Sequence, residues 1–364
     1  MTRCDVVVVG GGIAGVTAAA HLAERGAGVV LVERELQLAT HTTGRSAAQY
    51  LENYGGARNV RLTLASREAF DRGAYLSPRA SLTFGGPDDR DELRRQAEAA
   101  AKLVASIRFV EPAEALELWP ALRAELVAGA IVEPDAADID VSALHADLVA
   151  RARRAGATVE AGVGAVFPRA VTGGWQVGEH LASHVVNAAG AWGDVVAAHA
   201  SVRPIGLRPL RRTAFVVEAP EGSAAWPLVH EANAKFYAKP EPGGNLLVSP
   251  VDETPSDPCD ARPEPVDIAR ALDELHAHTT VSSRHVRRSW AGLRTFAPDR
   301  GPVIGFDGAA RGFFWLVGQG GTGIQTAPAQ GRVAAELLLD GRLPADVAAL
   351  GLTAAELSPA RFDR

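Results

Sequence analysis

An unbroken run of four valines, Val6–Val9, stops at Gly10, and glycine recurs at positions 11, 12 and 15. A strand that is apolar at every position is buried on both faces, as in a parallel sheet covered by helices on each side. Gly10, Gly12 and Gly15 fit the G-x-G-x-x-G spacing. The first glycine makes a tight turn, the second lets a pyrophosphate approach the backbone, and the third lets the next helix pack against the strand. Free N–H groups at the start of that helix then face the phosphates. With 37 glycines in 364 residues, the spacing gains its meaning from its surroundings. These are a helical Ala/Leu pattern over residues 16–25, punctuation at Gly26 and Gly28, and a second apolar run, Val29–Val32, closed by Glu33. The result is a βαβ unit of about 30 residues whose terminal acid is placed for the ribose hydroxyls of a dinucleotide.

The rest of the chain extends this plan. Residues 39–50 are polar, contain Gly44 and then turn helical, which suits a second phosphate or ring contact. Residues 59–72 read as one helix, 78–86 as a strand and turn, 88–104 as a charged amphipathic helix, and 131–140 as a loop leading to a helix over 141–154. Asp138 and Asp140 sit just before that helix, where acids serve as N-caps more often than as metal ligands. Val185–Asn187 followed by Ala188, Ala189, Gly190, Ala191 and Trp192 repeats the opening logic of a buried strand ending in small residues. Residues 208–218 differ, reading as a long alternating strand of an antiparallel sheet with one open face, which 236–240 and 245–249 continue around a Pro242-Gly243-Gly244 turn. His276 and His278, two apart on a helix over 267–278, do not share a face and read as solvated. Finally Phe313–Val317 delivers a glycine-rich turn, residues 318–326, to the start of a last helix.

The fold predicted is α/β, α+β overall, with a second domain inserted between pieces of the first. A net charge of −6 argues against nucleic acid or an acidic membrane as partner. No stretch approaches the roughly 20 apolar residues of a membrane span, and the opening valines are too short for a secretory core, so a cytoplasmic protein is expected. Cys4 and Cys259 offer neither metal spacing nor a disulfide framework.

Four segments together resemble the D-amino-acid oxidase-like family of FAD-dependent amine and amino-acid oxidoreductases, nearest to its bacterial D-arginine dehydrogenase type. They are His41–Ala48, Val186–Trp192, Trp290–Arg294 and Gly318–Thr326. The resemblance implies a Rossmann-like dinucleotide domain from residues 1–80, 138–205 and 285–364, with an inserted mixed or antiparallel sheet domain from 81–137 and 206–284. It also implies FAD contacts at Gly10, Gly12, Ile13, Ala14, Gly15, Glu33, Arg34, Thr42, Thr43, Arg45, Ser46, Ala47, Val163, Ala189, Gly190, Trp192, Gly292, Gly320, Gly321, Thr322, Gly323, Ile324 and Gln325. Gly292 stands where some relatives carry a flavin-linking cysteine, which implies noncovalent FAD.

For the reaction, the resemblance implies hydride transfer from the substrate Cα to flavin N5, followed by hydrolysis of the imino acid to a 2-oxo acid and ammonia. Such chemistry needs an α-carboxylate held by a bidentate cation. Arg212 and Arg294 match family positions with that role; by spacing alone Arg211, on the opposite strand face, is an equal candidate. Tyr54 and Tyr237 match phenols lining the substrate cavity, and Gly321 lies beside them. Two positions depart from the arginine dehydrogenase type: Gln49 replaces a histidine near the substrate amine, and Ser81 replaces a glutamate that holds a cationic side chain. The expectation is a D-amino-acid dehydrogenase preferring neutral or apolar side chains, with a quinone, a dye-like acceptor or O2 taking the electrons. Oxidation of secondary amines or imino acids, of the sarcosine or proline kind, is the alternative.

Overall fold

The computed structural model describes residues 2–362, and among them the strands form sheets of eight, nine and three strands. In the eight-stranded sheet, β1 (Thr2–Val9) pairs in parallel with β2 (Val29–Glu33) on one side and with His180–Asn187 on the other. Thr158–Ala161 extends the sheet beyond β2, and Phe313–Val317 pairs in parallel with the end of His180–Asn187. Val6–Val8, Leu31, Val185 and Val186 are essentially inaccessible to solvent, as a strand covered on both faces must be. Helix α1 (Ile13–Glu24) follows the turn and is buried along most of its length. Two glycines fix this junction. Gly10 adopts φ 112°, and a Cβ on Gly15 would overlap the carbonyl oxygen of Gly10, so strand and helix touch backbone to backbone.

The nine-stranded sheet runs Thr254–Pro255, Arg208–Glu218, Asn245–Ser249, Tyr237–Glu241, Leu228–Glu231, Ser81–Gly85, Gly129–Glu133 and Arg108–Val110, with Arg288–Phe296 also paired along Arg208–Glu218. One face packs Leu82, Val132, Phe215, Val229, Ala238 and Val248 into an apolar cluster with Trp119, Ala271 and Leu275 from the covering helices. Gln49–Tyr50, Ala137–Ile139 and Leu76–Pro78 make the three-stranded sheet.

Several sequence expectations are corrected. Residues 131–140 are not a loop: they contribute to strands Gly129–Glu133 and Ala137–Ile139 on either side of a short turn. The single helix expected over 59–72 is two, Ala57–Leu64 and Arg67–Gly73, divided at Ser66, whose hydroxyl donates to Leu62 O and accepts from Ala329 N–H. Arg208–Glu218 alternates only in its first half, because from Thr213 to Val217 it is buried on both faces. Arg288–Phe296 falls within the stretch read as dinucleotide domain, yet it hydrogen-bonds into the nine-stranded sheet. His276 and His278 are half-buried rather than solvated: His276 bonds Ser283 O, and His278 packs on Phe84 and Phe236. Asp140 is the N-cap of Val141–Arg154, accepting from Ala143 N–H at 2.8 Å.

Candidate cofactor trough and active site

The C-terminal ends of the parallel strands open onto two cavities that share Gly12, Thr42, Thr43, Ala188, Gly190 and Ala191 in their walls. The first, about 270 Å³, is lined by Gly10, Glu33, Arg34, His41, Ala189, Trp192 and the segment Gly164–Phe167. Arg34 lies over the Trp192 ring at 4.4 Å, and His41 packs on its edge. The Glu33 carboxylate accepts from Gly11 N–H at 2.6 Å and from Glu35 N–H at 2.8 Å, so it holds the glycine turn while facing the cavity.

The second cavity, about 140 Å³, begins at the start of α1 with Ile13 and Ala14 and continues past Arg45, Ser46 and Ala47 to Gly292, Gly320, Gly321, Gly323 and Ile324. Its far end is lined by Arg212, Tyr237 and Arg294. The polar side chains of residues 42–45 mostly tie this wall together rather than face the cavity. Thr43 Oγ1 accepts from Ile13 N–H, Thr42 donates to Leu293 O, and Arg45 donates to Ala261 O and Ala291 O. A Cβ on Gly292 would meet nothing closer than 3.7 Å, so the open space there follows from glycine itself.

Strand register settles the choice between the two arginines. Arg211 points away from the cavity and donates to Glu264 and Asp267 at 3.0 and 2.9 Å. Arg212 faces inward, donates to Asp252 O at 2.8 Å, and lies 3.4 Å from Glu253, an acid it shares with Arg300. Burial pushes the Arg212 guanidinium below its ordinary value, and the charge of Arg294 adds to the effect. Arg294 donates to Tyr54 Oη at 3.3 Å and has no acid within ion-pair distance among the described residues. Burial opposes its charge, but the Tyr54 and Tyr237 phenols outweigh that and raise its pKa. A Cβ at Gly321 would stand 3.0 Å from the Arg294 guanidinium and 3.2 Å from Tyr54 Oη, so glycine keeps the space between them clear.

Five expected site residues do other work. Gln49, expected beside the substrate amine, is absent from the cavity wall because its amide donates to Asp138, a carboxylate also held by Arg79 and Lys239. The Gln325 side chain is buried and bonds both backbone groups of Leu51 and the Thr63 hydroxyl. The Thr322 hydroxyl donates to Gln319 O, which closes the glycine turn. Val163 stands behind the first cavity, its N–H on Glu33 O, while the neighbouring Gly164–Phe167 form the wall. Gly15 acts through packing, as described above.

The sequence reading missed Gly164–Phe167, Val195, Val196 and His230. Gly162 and Gly164, directly after a parallel strand, were a usable signal for the first group. His230 had none, since it is brought beside the cavity-lining Tyr237 only through strand pairing: it sits directly across from Tyr237, with ring centroids 5.4 Å apart. Burial, then the charges of Arg294 and Arg212, push its imidazole down to about 4, so it is neutral at physiological pH.

Residues 5–337 match the DAO family, described as FAD dependent oxidoreductase. This chain belongs to that family. Glycine oxidase from Geobacillus kaustophilus (strain HTA426) is 27% identical over 96% of this chain and 97% of its own length. An FAD-dependent oxidoreductase domain-containing protein 1 from Xenopus laevis is 30% identical, over 44% of this chain and only 35% of that relative. The solved structure of L-proline dehydrogenase from P. horikoshii superposes with a TM-score of 0.85 at 23% identity, covering 100% of this chain and 98% of that one.

FAD is the cofactor of this family, and the trough fits it. Two joined cavities flank the start of a helix, an acid and two stackable side chains stand at one end, and Gly292, Gly320, Gly321 and Gly323, with no side chains to fill the space, line the other. Glu33, Arg34 and Trp192 would hold the adenosine part, Gly12, Ile13 and Thr43 the diphosphate, and Ala47, Gly292 and Gly320–Gly323 the ring system. Among the described residues no helix is long and apolar enough to cross a membrane.

Proposed function

We propose that this family member oxidises an α-amino or imino acid at the carbon bearing nitrogen, and that Arg212 and Arg294 hold the substrate's carboxylate. The observation that carries this is Arg294: a guanidinium at the floor of a cavity, without an acid partner, beside a second arginine and a glycine that leaves room for an anion. With Tyr54 Oη as its hydrogen-bond partner and no acid in ion-pair distance among the described residues, Arg294 keeps donors free for an anion, and a planar fork suits a carboxylate. Tyr237 completes the wall, and Tyr54 reaches its hydroxyl to Arg294, close to Gly321. The two positive charges also disfavour an ammonium beside them, so the substrate amine is bound neutral. Bound FAD supplies the two-electron acceptor for the oxidation.

Side-chain charge follows from the same reading. Ser81 offers no anion, and Glu133, directly across from it, has its carboxyl raised to about 7 by burial and is bonded to Glu52 N–H, so a guanidinium desolvated near two arginines would cost several kcal/mol. Uncharged D-amino acids are therefore favoured over D-Arg and D-Lys. The full-length likeness to a glycine oxidase supports a second reading, oxidation of small or secondary amino acids such as glycine, sarcosine or proline.

Anaerobic mixing of the flavin-loaded protein with D- and L-amino acids, glycine, sarcosine and proline tests both readings. Bleaching by at least one is expected, and acid denaturation should release the flavin, since Gly292 provides no sulfur for a covalent link. Bleaching by none would overturn both readings. Peroxide formed at the rate seen with a dye acceptor would identify an oxidase rather than the dehydrogenase we favour.

A further inference from the structure

The inner face of the nine-stranded sheet continues past the carboxylate clamp. Register makes this explicit: Tyr237 pairs with Ser249 on one side and His230 on the other, and His230 pairs with Thr83 of the next strand. Leu228, two residues before His230, pairs with Ser81. Directly paired residues share a sheet face. The intervening residues Val229, Ala238, Val248 and Leu82 all belong to the apolar cluster on the far side, so His230, Thr83 and Ser81 face inward with Tyr237.

The strand order therefore lays out a line across the site. The Arg294 and Arg212 strands come first, Tyr237 stands two strands beyond Arg212, and His230 is one further. At about 4.8 Å per strand, His230 lies on the side of Tyr237 away from the arginines, so an amino acid held by its carboxylate and extended along this face would bring its side chain to His230. Among the described residues neither ring nitrogen of His230 has a hydrogen-bond partner in the protein. A half-buried imidazole with a free donor and a free acceptor, its ring tilted against that of Tyr237, is a recognition element awaiting its ligand.

We propose that His230 is the specificity-determining residue of this site, hydrogen-bonding an uncharged polar side chain of the substrate, an amide or hydroxyl. The proposal rests on the amino-acid reading above and extends it from excluding cations to selecting among neutral side chains. Being neutral, the ring offers one donor and one acceptor, which matches an amide and gives nothing to a thioether or alkyl chain. The positive charge of the two arginines, which adds to burial in keeping the ring neutral, also repels lysine and arginine side chains.

The experiment compares near-isosteric pairs on the FAD-loaded enzyme. In the enantiomer that bleaches the flavin, the kcat/KM ratio of glutamine to methionine is measured for wild type, His230→Leu and His230→Asn. In parallel, the Kd ratio of the nonreacting carboxylates succinamate and pentanoate is read from the flavin spectrum. The expected result is that both ratios fall at least fivefold in His230→Leu and are partly restored in His230→Asn, which keeps an uncharged donor and acceptor. Unchanged ratios in a folded, flavin-loaded His230→Leu would overturn the assignment. Should His230→Leu fail to load flavin, His230→Asn and His230→Ala decide by the same ratios. A shift in the Kd ratio without oxidation of either amino acid would sink the amino-acid reading and leave the assignment of His230 standing.

Discussion

The two large sheets meet at one site but supply its chemistry in opposite ways. In the eight-stranded sheet the C-terminal halves of the central strands are largely buried, and the trough is reached by their last residues, such as Val9, Val32 and Glu33, and by the turns that follow: Gly10–Ala14, Ala188–Trp192 and the residues after Val317. In the nine-stranded sheet the strands themselves form the site, with Arg212, Tyr237, His230 and Arg294 projecting from one face while the other is apolar core. A parallel sheet covered on both sides has no free face, so function moves to its C-terminal edge. A sheet with one core face keeps the other for recognition. The first design tolerates no change in turn geometry, whereas the second tolerates side-chain change with an altered substrate.

This contrast can be broken at three points. The largest effect is expected for Gly15→Ala. The new Cβ would meet the Gly10 carbonyl, a backbone atom that cannot swing aside, at the upper end of the roughly 1–3 kcal/mol that overpacking costs. The purified variant should carry little or no FAD and melt well below wild type. A wild-type flavin-to-protein ratio would show that the close approach of strand and helix is dispensable.

Next is Arg294→Met, on a strand face. Losing a charge-assisted contact costs about 1.5–3 kcal/mol, so kcat/KM for an amino acid should fall at least tenfold with FAD still bound. Equal loss for an amine lacking a carboxylate would remove Arg294 from the clamp and weaken the comparison itself.

The smallest effect concerns Glu133, which faces Ser81 across the same sheet and accepts Glu52 N–H at 2.5 Å, at the base of the Tyr54 loop. Burial raises its carboxyl to about 7; the Glu52 and Asn53 N–H groups oppose the rise, and the Glu52 charge adds to it. The folded state thus holds a proton that the unfolded chain releases near its ordinary carboxyl value of about 4.3. Stability from this group is complete below that value and is lost as pH rises through about 7. Glu133→Gln keeps the acceptor and removes the charge, so thermal melts should show a gain on the order of 1–2 kcal/mol at pH 8 and little change at pH 4. A gain of the same size at both values would assign the effect to packing.

Among the residues, what the sequence made legible is what depends on short-range geometry. The strand–turn–helix of residues 4–24, the N-cap at Asp140 and the strand Arg208–Glu218 were each readable within one stretch of chain. Family resemblance added Arg212 and Arg294, which line one cavity, and Gln49, which does not. Gln49 was misjudged because its amide partner Asp138 lies 89 residues away, on a strand the sequence reading had taken for a loop. The same limit hid the break at Ser66, made by a contact with Ala329.

By itself, then, the sequence determined a dinucleotide-binding βαβ unit and the presence of a second, antiparallel sheet, because glycine spacing and apolar periodicity act over a few residues and need no distant partner. Only the tertiary structure decided which arginine faces inward, that Gln49 is turned to Asp138, and that His230 joins Tyr237 at the wall. Those outcomes are set by strand register, in which a one-residue shift exchanges the two faces of a sheet, and register is fixed by contacts between residues far apart in the chain.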